Sequence, residues 1–131
     1  MNFSEYVGIP FKPHGRDRDG VDCWGLVWLI YKERFEILLP SFTEEYDTVN
    51  DGILLGELTT SQRDIMPWRE VEHEQIGDVV LLRLFGFPMH VGLVVSKRLM
   101  INVRVGVNVC IENFRSTAWK KRIEGIYRYV G

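Results

Sequence analysis

The strongest constraint on fold lies in the C-terminal half of the chain. From Gly77 onward the sequence breaks into five short runs, 79–85, 90–95, 99–103, 107–112 and 123–130, each rich in β-branched and aromatic residues. Gly, Asn, Ser, Lys and Pro separate them, so the spacing predicts five strands following one another as a meander. The N-terminal half reads differently. Residues 8–20, GIPFKPHGRDRDG, hold three glycines, two prolines and a run of alternating charges, a loop signature. Asp22 then precedes Cys-Trp-Gly-Leu-Val-Trp-Leu-Ile-Tyr, with Leu26, Val27, Ile30 and Tyr31 at helical spacing. Asp is a favoured N-cap, so a helix is predicted over 23–36. Two further short helices are plausible near 42–50 and 59–65, where Gly52, Gly56 and Pro67 interrupt weak apolar spacing. Helices first and strands later, without βαβ alternation, define an α+β fold with N-terminal helices packed on a five-stranded antiparallel sheet.

A chain of 131 residues suffices for one domain, spanning 1–131, and is too short for two. Its 46% apolar and 26% charged residues describe a chain that buries a core. Sixteen Lys and Arg against 18 Asp and Glu give a net charge of −2, which offers no basic field for nucleic acid. The longest apolar run, 24–31, falls far short of the roughly 18 residues of a membrane span. The opening MNFSEYVGIP lacks a basic segment followed by an apolar one, so no secretory signal is read there. In that setting Cys23 and Cys110 are expected to be free thiols.

Cys23 draws attention by its place. As the first residue after an N-cap it would sit where unpaired N–H groups and the positive helix end favour a thiolate. It could equally be an ordinary buried cysteine. Gly25 would leave room for a substrate carbonyl to approach. A nucleophilic sulfur needs a base, and the chain has three histidines, His14, His73 and His90. His14 lies in the Gly/Pro loop, and His73 in the charged run Glu70-Val71-Glu72-His73-Glu74, where it is expected to be solvated. His90 opens the apolar strand His-Val-Gly-Leu-Val-Val, as either a capped edge residue or a base held by the sheet. Asn102 is the uncharged polar side chain in Leu-Met-Ile-Asn-Val, where strands disfavour Asn, and could orient the imidazole. Direct pairing of 90 with 102 requires a three-residue loop, Val95-Ser96-Lys97. An even loop would put the two on opposite faces unless a bulge corrects it. Cys110, between Val109 and Ile111, reads as core, as do Trp28 and Tyr31 on the first helix. Trp68 and Trp119 fall in expected loops, where they could line a partner surface. Cys23, His90 and His73 match no compact zinc spacing, so no metal or other cofactor is expected.

Taken in order, Gly-Ile-Pro-Phe, a glycine-bearing loop, Asp22-Cys23-Trp24-Gly25-Leu26-Val27, Gly77-Asp78-Val79-Val80 and His90-Val91-Gly92-Leu93 resemble the NlpC-like cysteine peptidases. These are papain-fold enzymes that cut peptidoglycan stem peptides. The family's third polar residue follows its histidine by about a dozen positions, as Asn102 follows His90. Asp-Cys-Trp-Gly-Leu and the closing Arg-Ile-Glu-Gly-Ile-Tyr-Arg-Tyr resemble the branch associated with the tails of long-tailed phages and phage-derived particles.

The resemblance implies a Cys23–His90–Asn102 triad that opens a stem peptide through a thioester, with the helix-start N–H groups meeting the oxyanion. It further implies tail-tip or hub proteins as partners and local opening of the bacterial cell wall during DNA delivery. Asp22, Trp24, Phe11 and His14 would border the substrate. The chain departs from the family pattern at three of these. Phe11 stands where Tyr is common, Trp24 where Ser is common, and His14 where Gly is usual. Two rivals to peptide cleavage are a tail protein that keeps the fold without turnover and a thiol amidase or acyl transferase.

Overall fold

The computed structural model describes residues 2–41, 68–84 and 87–131. Its elements in chain order are β1 (Arg16–Asp17), β2 (Gly20–Val21), α1 (Cys23–Arg34), β3 (Trp68–Val71), β4 (Val79–Leu84), β5 (Phe87–Ser96), β6 (Leu99–Arg104), β7 (Val107–Asn113) and β8 (Ile123–Tyr129). Single 3-10 turns stand at Ser4–Tyr6 and Lys120–Arg122. The short helices expected near 42–50 and 59–65 lie outside the described residues.

Asp22 is extended at φ −93° and ψ −175°, and its side chain accepts the Gly25 N–H, so α1 starts where the capping signal places it. The helix ends two residues before the expected 36. Glu36 adopts φ +56°, and the N–H groups of Phe35 and Ile37 both turn back to the Tyr31 carbonyl. Lys32 and Arg34 occupy the last turn, where the helix dipole favours positive charge. Between Cys23 and Tyr31 every residue but Trp28 is buried. A helix apolar on nearly all sides must be covered on nearly all sides. Here the sheet covers one side, and Phe3, Tyr6 and Ile9 of the N-terminal segment join the same cluster.

Among the described residues the sheet has six strands in the order β3-β8-β4-β5-β6-β7, all pairs antiparallel. The predicted count of five is corrected by β3, which pairs with β8 from Trp68–Tyr129 to Val71–Ile126. Its exposed Arg69 and Glu70 mask it in sequence, because an edge strand needs little apolar alternation. The meander holds through β4–β7, and then β8 returns to the far side of β4. Both faces of the sheet are buried. Val79, Leu81, Val91, Leu93, Ile101 and Val103 pack in the cluster that contains α1. Their neighbours Val80, Leu82, Val94 and Met100 join Phe114, Trp119 and Ile126 in a second cluster. This double burial is why Val79 to Leu82 is uniformly apolar instead of alternating.

Three expected environments are corrected. Trp68 is in β3, stacked edge-on against Tyr129 and tilted against Tyr31, not in a loop. Trp119 is buried in the second cluster instead of lining a partner surface. Cys110 is only half-buried, because β7 is the sheet's edge and its residues alternate in exposure. Both cysteines are unbridged, as expected.

Candidate active site

Asp22 organises the front of α1. Its buried carboxylate accepts the Gly25 N–H at 2.7 Å and Arg16 Nη1 at 2.8 Å through Oδ1, and the His14 N–H at 3.0 Å through Oδ2. Arg16 also donates to the Gly15 carbonyl, to the Ser41 carbonyl at 2.7 Å and to Ser41 Oγ at 3.2 Å. The charged loop is thus fastened across the helix start, and segment 41 is fastened to the loop. His14 takes part through its backbone at φ +59°, a region that glycine enters most cheaply, which accounts for glycine as the usual residue there. A Cβ on Gly25 would run into the Gly15 carbonyl and crowd Arg16 and Asp22. The expectation that Gly25 clears a path for substrate is therefore corrected: the loop fills that space.

Cys23 is the first residue of α1 and is 6% exposed. Trp24 is buried beside it and donates its indole N–H to the Pro40 carbonyl at 2.9 Å. Phe11 is half-buried and bridges in parallel to Val21, one residue before Asp22. The helix, the loop and the Phe11 segment thus bring Phe11, His14, Asp22, Cys23 and Trp24 to one end of the fold.

His90 and Asn102 meet on the sheet, with His90 Nε2 at 2.9 Å from Asn102 Oδ1 and both side chains buried. The means is a bulge. Strands β5 and β6 close through the two-residue turn Lys97 and Arg98, with Ser96 opposite Leu99. That register alone would point 90 and 102 to opposite faces. The register shifts between Val94 and Ser96, so that Val94 pairs with Met100 and Leu93 with Ile101. The extra residue restores a shared face. The two residues are diagonal neighbours, which corrects direct pairing through a three-residue loop. Helix α1 packs on β5, and Cys23 shares its buried cluster with Val91, whereas His90, opposite Leu82 and stacked on Trp119, lies against the second cluster.

The His90–Asn102 pair has a surrounding shell that sequence reasoning missed. Trp119 stacks on the imidazole with ring centres 5.7 Å apart and planes at 20°. Asn102 Nδ2 donates to Glu112 Oε2 at 3.0 Å and to the Cys110 carbonyl at 3.3 Å. Arg104 Nη1 donates to Glu112 at 2.9 Å and reaches Asn102 Oδ1 at 3.3 Å. Opposite charges on two adjacent strands, flanking the one Asn, were the available signal. His73 lies on the far β3–β4 connection, with its carbonyl accepting Arg128 at 2.9 Å.

Burial pushes the His90 imidazole down to about 4; the Asn102 bond opposes this, Arg104 adds to it and Glu112 opposes it. An unfolded histidine titrates near 6.5. Between these values the unfolded chain binds a proton that the folded ring does not. Stability is therefore complete above about pH 6.5 and is lost as pH falls toward about 4, by about 3 kcal/mol from this group. Urea unfolding at pH 7 and pH 4.5 should show a larger loss for wild type than for His90→Gln. Equal losses would contradict a neutral buried ring.

A helix opening on a cysteine, laid on an antiparallel sheet that carries a histidine bonded to an asparagine, is the architecture of the papain-like cysteine peptidases. Within that class the chain belongs to the NlpC/P60 family, which matches residues 8–128. The murein DD-endopeptidase/murein LD-carboxypeptidase MepS of Escherichia coli K12 is 24% identical over 120 residues, covering 92% of this chain and 55% of MepS. The chain thus spans about half the length of that relative. Among solved structures, the NlpC/P60 domain of the peptidoglycan hydrolase SagA superposes with a TM-score of 0.64 at 18% identity, covering 95% of this chain and 90% of that one. A Bacillus cereus NlpC/P60 protein reaches a TM-score of 0.68 at 22% identity, covering 98% of this chain and 38% of its own. These likenesses establish the α+β papain-like fold.

Proposed function

We propose that this domain is a thiol endopeptidase of peptidoglycan stem peptides, with Cys23 as nucleophile, His90 as base and Asn102 as its orienting partner. The reading rests on the buried His90–Asn102 pair, in a chain of the NlpC/P60 family whose α1 opens on Cys23. With Nε2 engaged by Asn102, Nδ1 is the ring nitrogen that serves the sulfur. The Cys23 proton moves to Nδ1 as sulfur bonds to the peptide carbonyl. The resulting oxyanion is met by N–H groups at the start of α1. The C–N bond breaks as Nδ1 returns the proton to the leaving amine. Water, deprotonated by the same nitrogen, then releases the acid from the thioester. The names of MepS and SagA, which specify murein and peptidoglycan, support the substrate class. The bond joining D-glutamate to a diamino acid is the cleavage point that the family resemblance favours.

The site of action we propose is the tail of a phage or phage-derived particle, with tail-tip or hub proteins as partners, resting on the Asp-Cys-Trp-Gly-Leu and C-terminal motifs. In that setting the domain opens the wall locally during DNA delivery. Incubation with purified sacculi, followed by mass spectrometry of the soluble products, tests the chemistry. New amine and carboxyl ends within stem peptides are expected, and their release should stop when iodoacetamide modifies Cys23. Intact sacculi together with an unreactive Cys23 would instead identify an assembly protein that keeps the fold without turnover. Products cut at the sugar–peptide amide would identify an amidase.

A further inference from the structure

Resting on the proposed role of His90, we infer that Glu112 is a positioning residue: it fixes the facing of the Asn102 amide and thereby places the proton of neutral His90 on Nε2, leaving the lone pair on Nδ1. An asparagine amide has two ends of nearly equal size and opposite hydrogen-bonding character. What surrounds it decides which end faces the histidine. On one side stand the Glu112 carboxylate, at 3.0 Å, and the Cys110 carbonyl, at 3.3 Å; neither can donate, so the NH2 end must face them. On the other side Arg104 Nη1, at 3.3 Å, can only donate, so it requires the oxygen. The oxygen then faces His90 Nε2 at 2.9 Å, and an oxygen without a hydrogen makes Nε2 the donor. In the neutral ring that assigns the basic lone pair to Nδ1, the nitrogen the thiol proton needs.

Glu112 does this twice over. It takes the Asn102 N–H, and it also holds Arg104, 2.9 Å away, in the position from which the guanidinium addresses the Asn102 oxygen. Burial alone would raise the Glu112 carboxyl. Arg104, Asn102 and Trp119 outweigh it and hold the group below its usual value, so Glu112 stays an acceptor at neutral pH. Arg104 also lies over the Trp119 ring, 5.3 Å from its centre, and Trp119 stacks on His90. One carboxylate thus braces both the edge and the face of the imidazole. It touches neither the sulfur nor any reacting atom, so its effect passes through Asn102.

The test is the tautomer of His90, read by two-dimensional 1H–15N NMR of the full chain at pH 7, with His14 and His73 as internal controls. Wild type should show one species protonated on Nε2. Glu112→Ala should show a mixture of the two neutral tautomers, with hydrolysis of sacculi lowered about tenfold, the equivalent of one charge-assisted hydrogen bond. Glu112→Gln keeps an acceptor for Asn102 and should retain the wild-type tautomer. A wild-type spectrum with the proton on Nδ1, or a Glu112→Ala protein with unchanged tautomer and unchanged turnover, would overturn the inference. If Glu112→Ala does not fold, the wild-type spectrum decides: a neutral His90 protonated on Nδ1 is fatal. Because the spectrum is independent of turnover, inactive wild-type protein would count against the proposed function alone.

Discussion

Replacing Cys23 by alanine is expected to lower the release of stem-peptide fragments from purified sacculi by about 10⁴-fold or more, with the fold intact. Removing the nucleophile removes the covalent route, and among the described residues the side chains adjoining Cys23 in sequence offer no second one. The adjoining side chains are Asp22, held by three donors, and Trp24, whose indole N–H is bound to the Pro40 carbonyl. The substitution deletes one buried sulfur at the rim of the main cluster, so unfolding in urea should shift by no more than about 1 kcal/mol. The pair of measurements separates chemistry from stability. Wild-type release by folded Cys23→Ala protein would remove the sulfur from the mechanism, and with it the thioester. Cys110, half-buried on the sheet's edge with its thiol pushed up by burial and by Glu112, supplies no substitute.

The largest stability effect is expected at Asp22. Asp22→Ala should cost about 3 kcal/mol, because it removes the acceptor that the Gly25 and His14 N–H groups use and breaks the buried Asp22–Arg16 ion pair. The Arg16 side chain is 11% exposed and that of Asp22 is 0% exposed, so water does not replace what is lost. Asp22→Asn keeps an acceptor for the helix start and should cost less. Urea unfolding followed by tryptophan fluorescence measures both. A cost below about 1 kcal/mol for Asp22→Ala would mean that the loop is held mainly by other contacts. Turnover should fall alongside stability, since the same carboxylate fixes the backbone that presents Cys23.

The local elements were the most legible part of this sequence. The Asp22 cap, the start of α1 and the meander of β4–β7 each rest on residues near in sequence, so composition and spacing reveal them. The edge strand β3 was not legible, because its partner β8 lies more than fifty positions away and its exposed Arg69 and Glu70 carry no apolar signal. The His90–Asn102 contact was half legible. The need for an odd loop or a bulge follows from strand geometry, but which of the two the chain uses does not. Gly25 shows the opposite failure. A glycine beside a cysteine suggested room for substrate, whereas tertiary packing gives that room to the Gly15 carbonyl. The carboxylate brace at Glu112 was hidden for a similar reason: it comes from a strand whose pairing, Asn102 with Cys110, is visible only once the sheet is assembled.

The hairpin of β5 and β6 behaves like a reading frame with a compensating second hit. Its even turn alone would turn histidine and asparagine away from each other, and the one supernumerary residue near Val95 cancels that error. Losing or gaining a single residue at either place separates the pair, while changing both by one leaves it together. Related chains can therefore vary the length of this hairpin only in matched steps, and a grafted turn must bring its own correction with it.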